Sequence, residues 1–301
     1  MPRHDDPAAP PMPSPEFDLK TRFEDEARLF MRGPDNDNRS KTNPEPAFAE
    51  PFFGYCPASD PYWETVKEAA GQDHWTPLEA FQKAFPGDGA DPGGLTVAVI
   101  VCPQTKATVA DQKKASGFPA ERWIRSRFFH DQVVSKLCSH LAGRLAARGV
   151  RAVVPDQVEG FGTFPHPRFQ IASNWSHRHA AFAAGLGTFG LCDALITRVG
   201  KAHRLGSLVI ESRLEPTPRP YEKPYEYCLF HSAGQCRKCV GRCPAGALSP
   251  AGHDKTLCGG FLDATVPRIK ELYPDMTGAY GCGLCQSAVP CGERIPGRAG
   301  A

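Results

Sequence analysis

The sequence predicts a mixed α/β domain followed by a small cysteine-rich one. Three observations carry that prediction. The apolar, β-branched run LTVAVIVCP (Leu95 to Pro103) is followed by a long helical pattern and then by a second short run, Ala152-Val153-Val154-Pro155. Eight of the twelve cysteines crowd between Cys228 and Cys291. Between the two regions stands a connector bearing Pro216, Pro218, Pro220 and Pro224, which reads as stiff and extended.

Bulk properties narrow the class. A chain of 301 residues, 41% apolar and 23% charged, has the composition of a globular protein and enough length to bury a core. A formal charge of +2 excludes a nucleic-acid binder that works by bulk electrostatics, while a local basic face stays open. The longest mostly apolar run, Leu95 to Val101, is too short to span a bilayer. The first residues, MPRHDDPAAPPMPSPEF, hold no apolar signal core and no twin arginine, so the expected location is cytoplasmic, with no membrane partner.

Taken in order, residues 1–50 are proline-rich and read as an extended or disordered arm, with a short helix near Phe23 to Met31. Eleven of the 30 prolines precede position 61, and Asp35 to Pro46 offers nothing to bury. The α/β domain is expected over 51–222. Its strand Leu95–Pro103 is bounded by Gly93-Gly94 and Pro103. In the helix that follows, Val134, Leu137, Leu141 and Leu145 recur at helical spacing, and Gly149 suits the C-terminal cap. NWSHRHAAFAAGLG (Asn174 to Gly187) reads as a second helix, started by Ser173 or Asn174 and ended by Gly185. Asp193 to Ser212 reads as two strands joined by a Gly-Lys turn. The cysteine domain follows at 223–295, with a tail at 296–301.

Without a secretory signal, this cysteine density points to metal rather than disulfides. Cys236, Cys239 and Cys243, with Pro244 next, form C-x2-C-x3-C-P, preceded by Cys228. Cys258, Cys282, Cys285 and Cys291 form the second group. The bacterial ferredoxin run shares the x2 and x3 gaps and the trailing proline, and its fourth cysteine ligates the other cluster. By that crossed rule Cys228, Cys236, Cys239 and Cys291 hold one 4Fe–4S cluster, and Cys243, Cys258, Cys282 and Cys285 the other. Thiolates three apart on a tight loop can aim at one cubane while intervening N–H groups face its sulfides. Gly241, Gly259, Gly260, Gly281 and Gly283 permit close wrapping. Four-cysteine zinc and disulfides are the competing readings. Cys56, Cys102, Cys138 and Cys192 read as small buried hydrophobes.

Gly185, Gly187 and Gly190 match G-x-G-x-x-G, but the motif follows a helix and opens toward a strand. A dinucleotide site has the opposite order, so that function is excluded. Two readings remain. One is a helix cap with a tight turn. In the other, Ala180, Ala181, Ala183, Ala184 and the glycines let backbone approach a large flat ligand.

SHRHAAFAAGLGTFG (Ser176 to Gly190), DALIT (Asp193 to Thr197), the proline connector and C-x2-C-x3-C-P together resemble the epoxyqueuosine reductase family, which is related to the reductive dehalogenases. Tyr280 to Gln286 resembles that family's second cysteine motif. The likeness runs from Leu95 to Cys291. It implies a nitroreductase-like domain holding cobalamin, with Ser176, Arg178, Gly185, Gly187 and Gly190 at the cofactor. It also implies a ferredoxin-like domain whose two 4Fe–4S clusters feed electrons to it.

Three departures accompany the resemblance. The family's proton-donating aspartate falls at or near Ile171, and no Asp or Glu lies between Gln170 and His179. Cys285 to Cys291 is C-x5-C, with Gly292 in place of proline. The sequence given ends soon after the cysteines, without a helical-repeat extension, which weighs against tRNA as substrate.

His177 and His179 are then the candidate catalytic proton donors, and only one of two residues so spaced on a helix faces a given pocket. Arg122, Arg125 and Arg127 beside Trp123 read as an ordinary helix start or as a grip for an anionic substrate or RNA phosphate. The expected activity is an oxidoreductase that draws on an electron donor (a ferredoxin, flavodoxin or reductase) to reduce a small molecule or modified nucleoside. The alternatives are an electron-transfer protein without corrinoid chemistry and a zinc-stabilised binding module.

Overall fold

The computed structural model describes residues 15–41, 44–87 and 89–297. In chain order the elements are α1 (Pro15–Arg32), β1 (Phe52–Pro57), α2 (Tyr62–Ala70), α3 (Pro77–Ala84), β2 (Thr96–Pro103), α4 (Lys106–Lys114), α5 (Glu121–Ala146) and β3 (Ala152–Val153). Then come β4 (Thr163–His166), β5 (Gln170–Ser173), α6 (His177–Ala183), β6 (Gly187–Phe189), β7 (Leu195–Thr197) and β8 (His203–Ile210). The cysteine-rich region holds α7 (Leu229–Ala233), α8 (Lys238–Gly241), β9 (Leu248–Ser249), β10 (Gly252–His253) and α9 (Lys255–Leu272).

The frame is a four-stranded sheet, ordered β1-β2-β8-β3, with every pair antiparallel. All eight residues of β2 are buried, which is why its sequence is a continuous apolar run instead of an alternating one. Ala98, Ile100, Leu208 and Ile210 face α1 and α5, where Val134, Leu137, Leu141 and Leu145 form the predicted stripe. Val97, Val99, Val101 and Val209 face α3 and α6, together with Trp63 and Trp175. The result is a sheet between two helical layers. Gly149 takes φ +75° after α5, as a C-terminal cap requires.

Three sequence expectations are corrected. The first concerns the arm, whose residues 1–14 lie outside the described residues, as do 298–301 of the tail. From Pro15 to Arg32 the chain is an 18-residue helix. Phe23, Ala27 and Met31, four residues apart, bury one stripe in the α5 face of the core, with Leu19 packed beside them. The proline-rich composition around this helix masked its stripe. Asn36 then ties the following loop down: its side chain donates to the Met31 and Phe48 carbonyls and accepts from Phe48 N.

The second correction concerns α6, which starts at His177 rather than near Asn174, with Ser176 as cap accepting from His179 N. Asn174 is engaged elsewhere, accepting from Gly162 N and donating to the Asp73 carbonyl. The third concerns the hairpin over Asp193–Ser212. β7 pairs with β6, while β8 joins the central sheet. The Gly200 turn exists at φ +73°, but the backbone of Gly292 and Glu293 fills the space beside it, and Lys201 N donates to the Gly292 carbonyl.

The cysteine-rich region docks on α4 and α5. Arg125, 6% exposed at its side chain, donates from Nη1 to Asp275 Oδ2 at 2.7 Å and from Nε to Glu121. Gln112 Nε2 donates to the Cys282 carbonyl at 2.6 Å. Arg242 donates to the Ala115 carbonyl at 2.9 Å. Ile124 and Phe129 pack with Ile269, Met276 and Ala279 beneath these bonds. Among the described residues no helix is long and apolar enough to cross a membrane.

Two outcomes follow. Phe23→Ala should cost about 3 kcal/mol, the range for removing a buried phenylalanine, read as a lowered denaturant midpoint; an arm outside the fold would give no change. The Arg125 hydrogen bond and charge hold the Asp275 carboxyl below its ordinary value. Its contribution is therefore complete above the unfolded value of about 3.9 and is lost as pH falls through the lower folded value. Asp275→Asn should be less stable than wild type near neutrality, and the gap should narrow on acidification toward about pH 2. Denaturant midpoints of both proteins at several pH values measure this.

Candidate functional site

The loops around α7 and α8 and the segment after Leu284 bring four cysteines to one pocket. Cys228, Cys236, Cys239 and Cys291 all line it, with Lys201 and Gly190 on its wall. Cys228 is the residue at the start of α7, Cys239 lies within α8, and Cys291 arrives from the far end of the region. Of the other set, Cys282 lies within electrostatic reach of Cys243 and Cys258. Cys285 turns toward Cys192. Among the described residues, no three of the His, Cys, Asp and Glu side chains are closed to metal-ligand distance.

Cys192 departs from the sequence reading. Cys56, Cys102 and Cys138 are indeed buried in the apolar core, with Cys56 donating to the Pro57 carbonyl and Asp60. Cys192 instead sits against Cys239 and Cys285 and accepts from Lys201 Nζ at 3.3 Å. Bonds from those two thiols, with the Lys201 charge, hold it well below the usual thiol range despite its burial. Lys201 is 2% exposed. It also donates to the Cys285 carbonyl at 2.9 Å and shares its pocket with Cys291. Burial disfavours its ammonium, but the charges of Cys192, Cys291, Cys285 and Cys239 outweigh that and raise its value. No sequence pattern marks this lysine; the β7–β8 turn carries it inward.

Lys201 is shared with a second, more polar cavity of about 300 Å³, lined among others by Ser176, His177, Arg178, His203 and Arg204, and by Gln286 from the cysteine-rich region. Three of the expected site residues, Ser176, His177 and Arg178, therefore meet here. Trp175 also lines the wall, stacked on Trp63 at 5.5 Å. Its Nε1 donates to Ser207 Oγ at 2.9 Å. The Ser207 hydroxyl hydrogen is then free for His177 Nδ1, at 2.8 Å, and Nε2–H faces Asp156 Oδ2 at 3.3 Å. Burial raises the Asp156 carboxyl, yet the His177 bond and charge outweigh it and leave the group below its ordinary range. Asp156 comes from the turn after β3, far in sequence from α6, so a scan of the residues beside α6 for a carboxylate misses it. His203, also on the wall, donates from Nε2 to the Leu195 carbonyl at 3.1 Å. Burial pushes it down to about 4, so it is neutral near pH 7.

His179 is not brought to the cavity. It lies among Tyr62, His74 and Phe189, with Nδ1 on Ser176 Oγ at 2.8 Å. Desolvation there, with the His74 and Arg178 charges, pushes it down to about 3. The glycines are likewise turned inward. A Cβ on Gly187 would meet the Ile196 carbonyl oxygen at 2.3 Å, and one on Gly185 the Pro218 oxygen at 2.4 Å. Ala180, Ala181, Ala183 and Ala184 are buried in the core. The small residues serve close packing of the chain against itself, with Tyr221 bridging Phe182 O and Gly187 N. Gly190 lines the cysteine pocket instead. The arginines of α5 are paired too: Arg122 with Glu45 and Asp111, Arg125 with Glu121 and Asp275, Arg127 with the Tyr280 hydroxyl.

No family model matches the chain. A curated epoxyqueuosine reductase of Staphylococcus aureus (strain NCTC 8325 / PS 47) is 33% identical over 119 residues, which make up 38% of this chain and 29% of that relative. Among solved structures, a catabolic reductive dehalogenase superposes with a TM-score of 0.50 at 15% identity, covering 82% of this chain and 30% of that one. An epoxyqueuosine reductase structure gives a TM-score of 0.49 at 17% identity, covering 93% and 69%. The resemblance to the epoxyqueuosine reductases stands on the curated relative, and the mixed α/β fold is shared with the dehalogenase.

Packing and ligand roles for the glycines separate in one variant. Gly187→Ala should lose about 1–3 kcal/mol through overpacking, with no cofactor added. Unchanged thermal stability would return Gly187 to the ligand-facing list.

Proposed function

We propose that this chain, similar to the epoxyqueuosine reductases over its matched stretch, is an iron–sulfur oxidoreductase. In this reading its ferredoxin-like C-terminal region carries two 4Fe–4S clusters and its α/β domain presents the 300 Å³ cavity to the electrons. The observation that carries it is the pocket walled by Cys228, Cys236, Cys239, Cys291 and Lys201. A buried ammonium demands an anion. Among the described residues Lys201 has no carboxylate partner and is surrounded by sulfur. A thiolate-bound cluster satisfies both facts. The second cluster would take Cys243, Cys258, Cys282 and Cys285, of which Cys282 lies within electrostatic reach of the other three.

The resemblance also implies a cobalamin, and the donor-rich wall of Ser176, Arg178 and Arg204 suits its amide and phosphate oxygens. When bound, that group would supply a metal centre able to reduce a substrate by successive single electrons. The chain's own part is to exclude water with Trp175 and Leu195, to orient the occupant by Arg178, and to hold a proton at His177 Nε2. Asp156 orients that ring through Nε2, and the Ser207 hydroxyl, which can donate or accept, holds Nδ1. The substrate class consistent with this wall is a polar small molecule or modified nucleoside, and an external ferredoxin, flavodoxin or reductase would supply electrons.

Anaerobic purification followed by reconstitution with iron and sulfide tests the reading. The expected result is about eight iron and eight sulfide per chain, two cubanes. Cys239→Ala should lose the iron of its cluster and destabilise the C-terminal region, whereas Cys138→Ala should keep full iron. A folded wild-type chain that takes up zinc but no iron would overturn the proposal. Full iron with no retention of added cobalamin would leave the electron-transfer reading in place of the corrinoid one.

A further inference from the structure

Lys201 occupies a place that neither cysteine motif explains. Its Nζ donates to Cys192 Sγ at 3.3 Å and to the Cys285 carbonyl at 2.9 Å, and Cys291 lines the same pocket. Cys291 belongs to the first proposed cluster set and Cys285 to the second, and Cys192 touches Cys239 and Cys285, one from each. The same lysine stands on the wall of the cysteine pocket and on the wall of the polar cavity. The turn that delivers it is locked by Lys201 N to the Gly292 carbonyl, next to Cys291, and by the Gly200 turn before it. Its position is thus fixed by the same chain segment that carries a proposed ligand.

We propose that Lys201 is a positioning and tuning residue, a fixed cation that raises the reduction potential of the Cys228, Cys236, Cys239 and Cys291 cluster and makes it the electron exit to the cavity. The inference rests on the iron–sulfur reading above. On reduction such a cluster takes one electron from the external donor, with no bond made or broken, and its net charge becomes more negative by one. A buried cation on the wall of the pocket that the ligating sulfurs line favours the more negative state. The effect falls off with distance, so the cluster in the pocket that Lys201 walls gains more than its neighbour. A downhill step between the two clusters follows, ending beside the cavity. Cys192 accepts from the ammonium at 3.3 Å and so helps to fix its place on that wall.

The test is a dithionite titration of the full chain, reconstituted anaerobically and followed by electron paramagnetic resonance. Wild type is compared with Lys201→Met, Lys201→Gln and Lys201→Arg. Lys201→Met should keep wild-type iron while one cluster midpoint falls by at least tenfold in its reduction equilibrium, about 59 mV for one electron, and the other moves less. Lys201→Arg should recover most of that loss. Should Lys201→Met lose iron, Lys201→Gln, which keeps hydrogen-bond donors without charge, decides the matter by the same shift. Full iron with both midpoints unmoved overturns the assignment, as does iron loss in every neutral variant, which would make Lys201 a holding residue. A wild-type chain without iron overturns the iron–sulfur reading and this inference together.

Discussion

Taking an ammonium out of water costs several kcal/mol unless an anion goes with it. Lys201 is 2% exposed and meets only sulfur and a carbonyl. That constraint orders much of the molecule. The β6–β7 hairpin must bring Cys192 to the lysine, the segment after Leu284 must bring Cys285 and Cys291, and α8 must bring Cys239. Three stretches distant in sequence therefore converge on one charge. The α/β domain and the cysteine-rich region are joined through it as well as through Arg125 and Gln112 on the far side. A contact surface built around a buried charge tolerates little slippage, because any shift leaves the ammonium unpaired.

The central strand β8 is the mechanical counterpart of that charge. Its eight-residue register with β2 fixes which side chains point to which face. Ser207 and Leu205 fall on the face of α6, where Ser207 accepts from Trp175 and meets His177. His203 opens the strand beside Leu195. Lys201 lies two residues before it, at the mouth of the Gly200 turn. One strand thus sets the proton-bearing side of the cavity, while the turn ahead of it sets the thiol side. A slip of one residue would send Ser207 to the opposite layer and separate the two chemistries.

Much of this was legible because local signals agreed with the fold. β2 shows as an unbroken apolar run, the α5 stripe runs from Val134 to Leu145, and Gly149 and Gly185 both adopt the left-handed conformation that ends a helix. Cys228, Cys236, Cys239 and Cys291, spread over 64 positions of chain, line one pocket. What stayed hidden depends on long-range placement. The stripe on α1 needs α5 opposite it before its burial has meaning. Asp156 reaches His177 across 21 positions of chain, and no local spacing records that. The space on the Cβ side of Gly185 and Gly187 is filled by Pro218 and Ile196, a close approach that only the folded chain reveals.

Cys192 shows why a solitary cysteine is hard to read. Sequence context assigns it to the same class as Cys102 and Cys138, and its burial matches theirs. The difference lies in what stands next to it. Burial among apolar side chains pushes the Cys102 thiol up to about 12, and burial raises Cys138 well above its ordinary value. Cys192 instead has the Lys201 ammonium at 3.3 Å. A buried sulfur becomes chemically distinct when it has a charged donor that cannot leave, and Lys201 cannot leave because its backbone is tied to Gly292. The pair therefore exists only in the folded chain, at the one point where the cysteine pocket and the polar cavity share a wall.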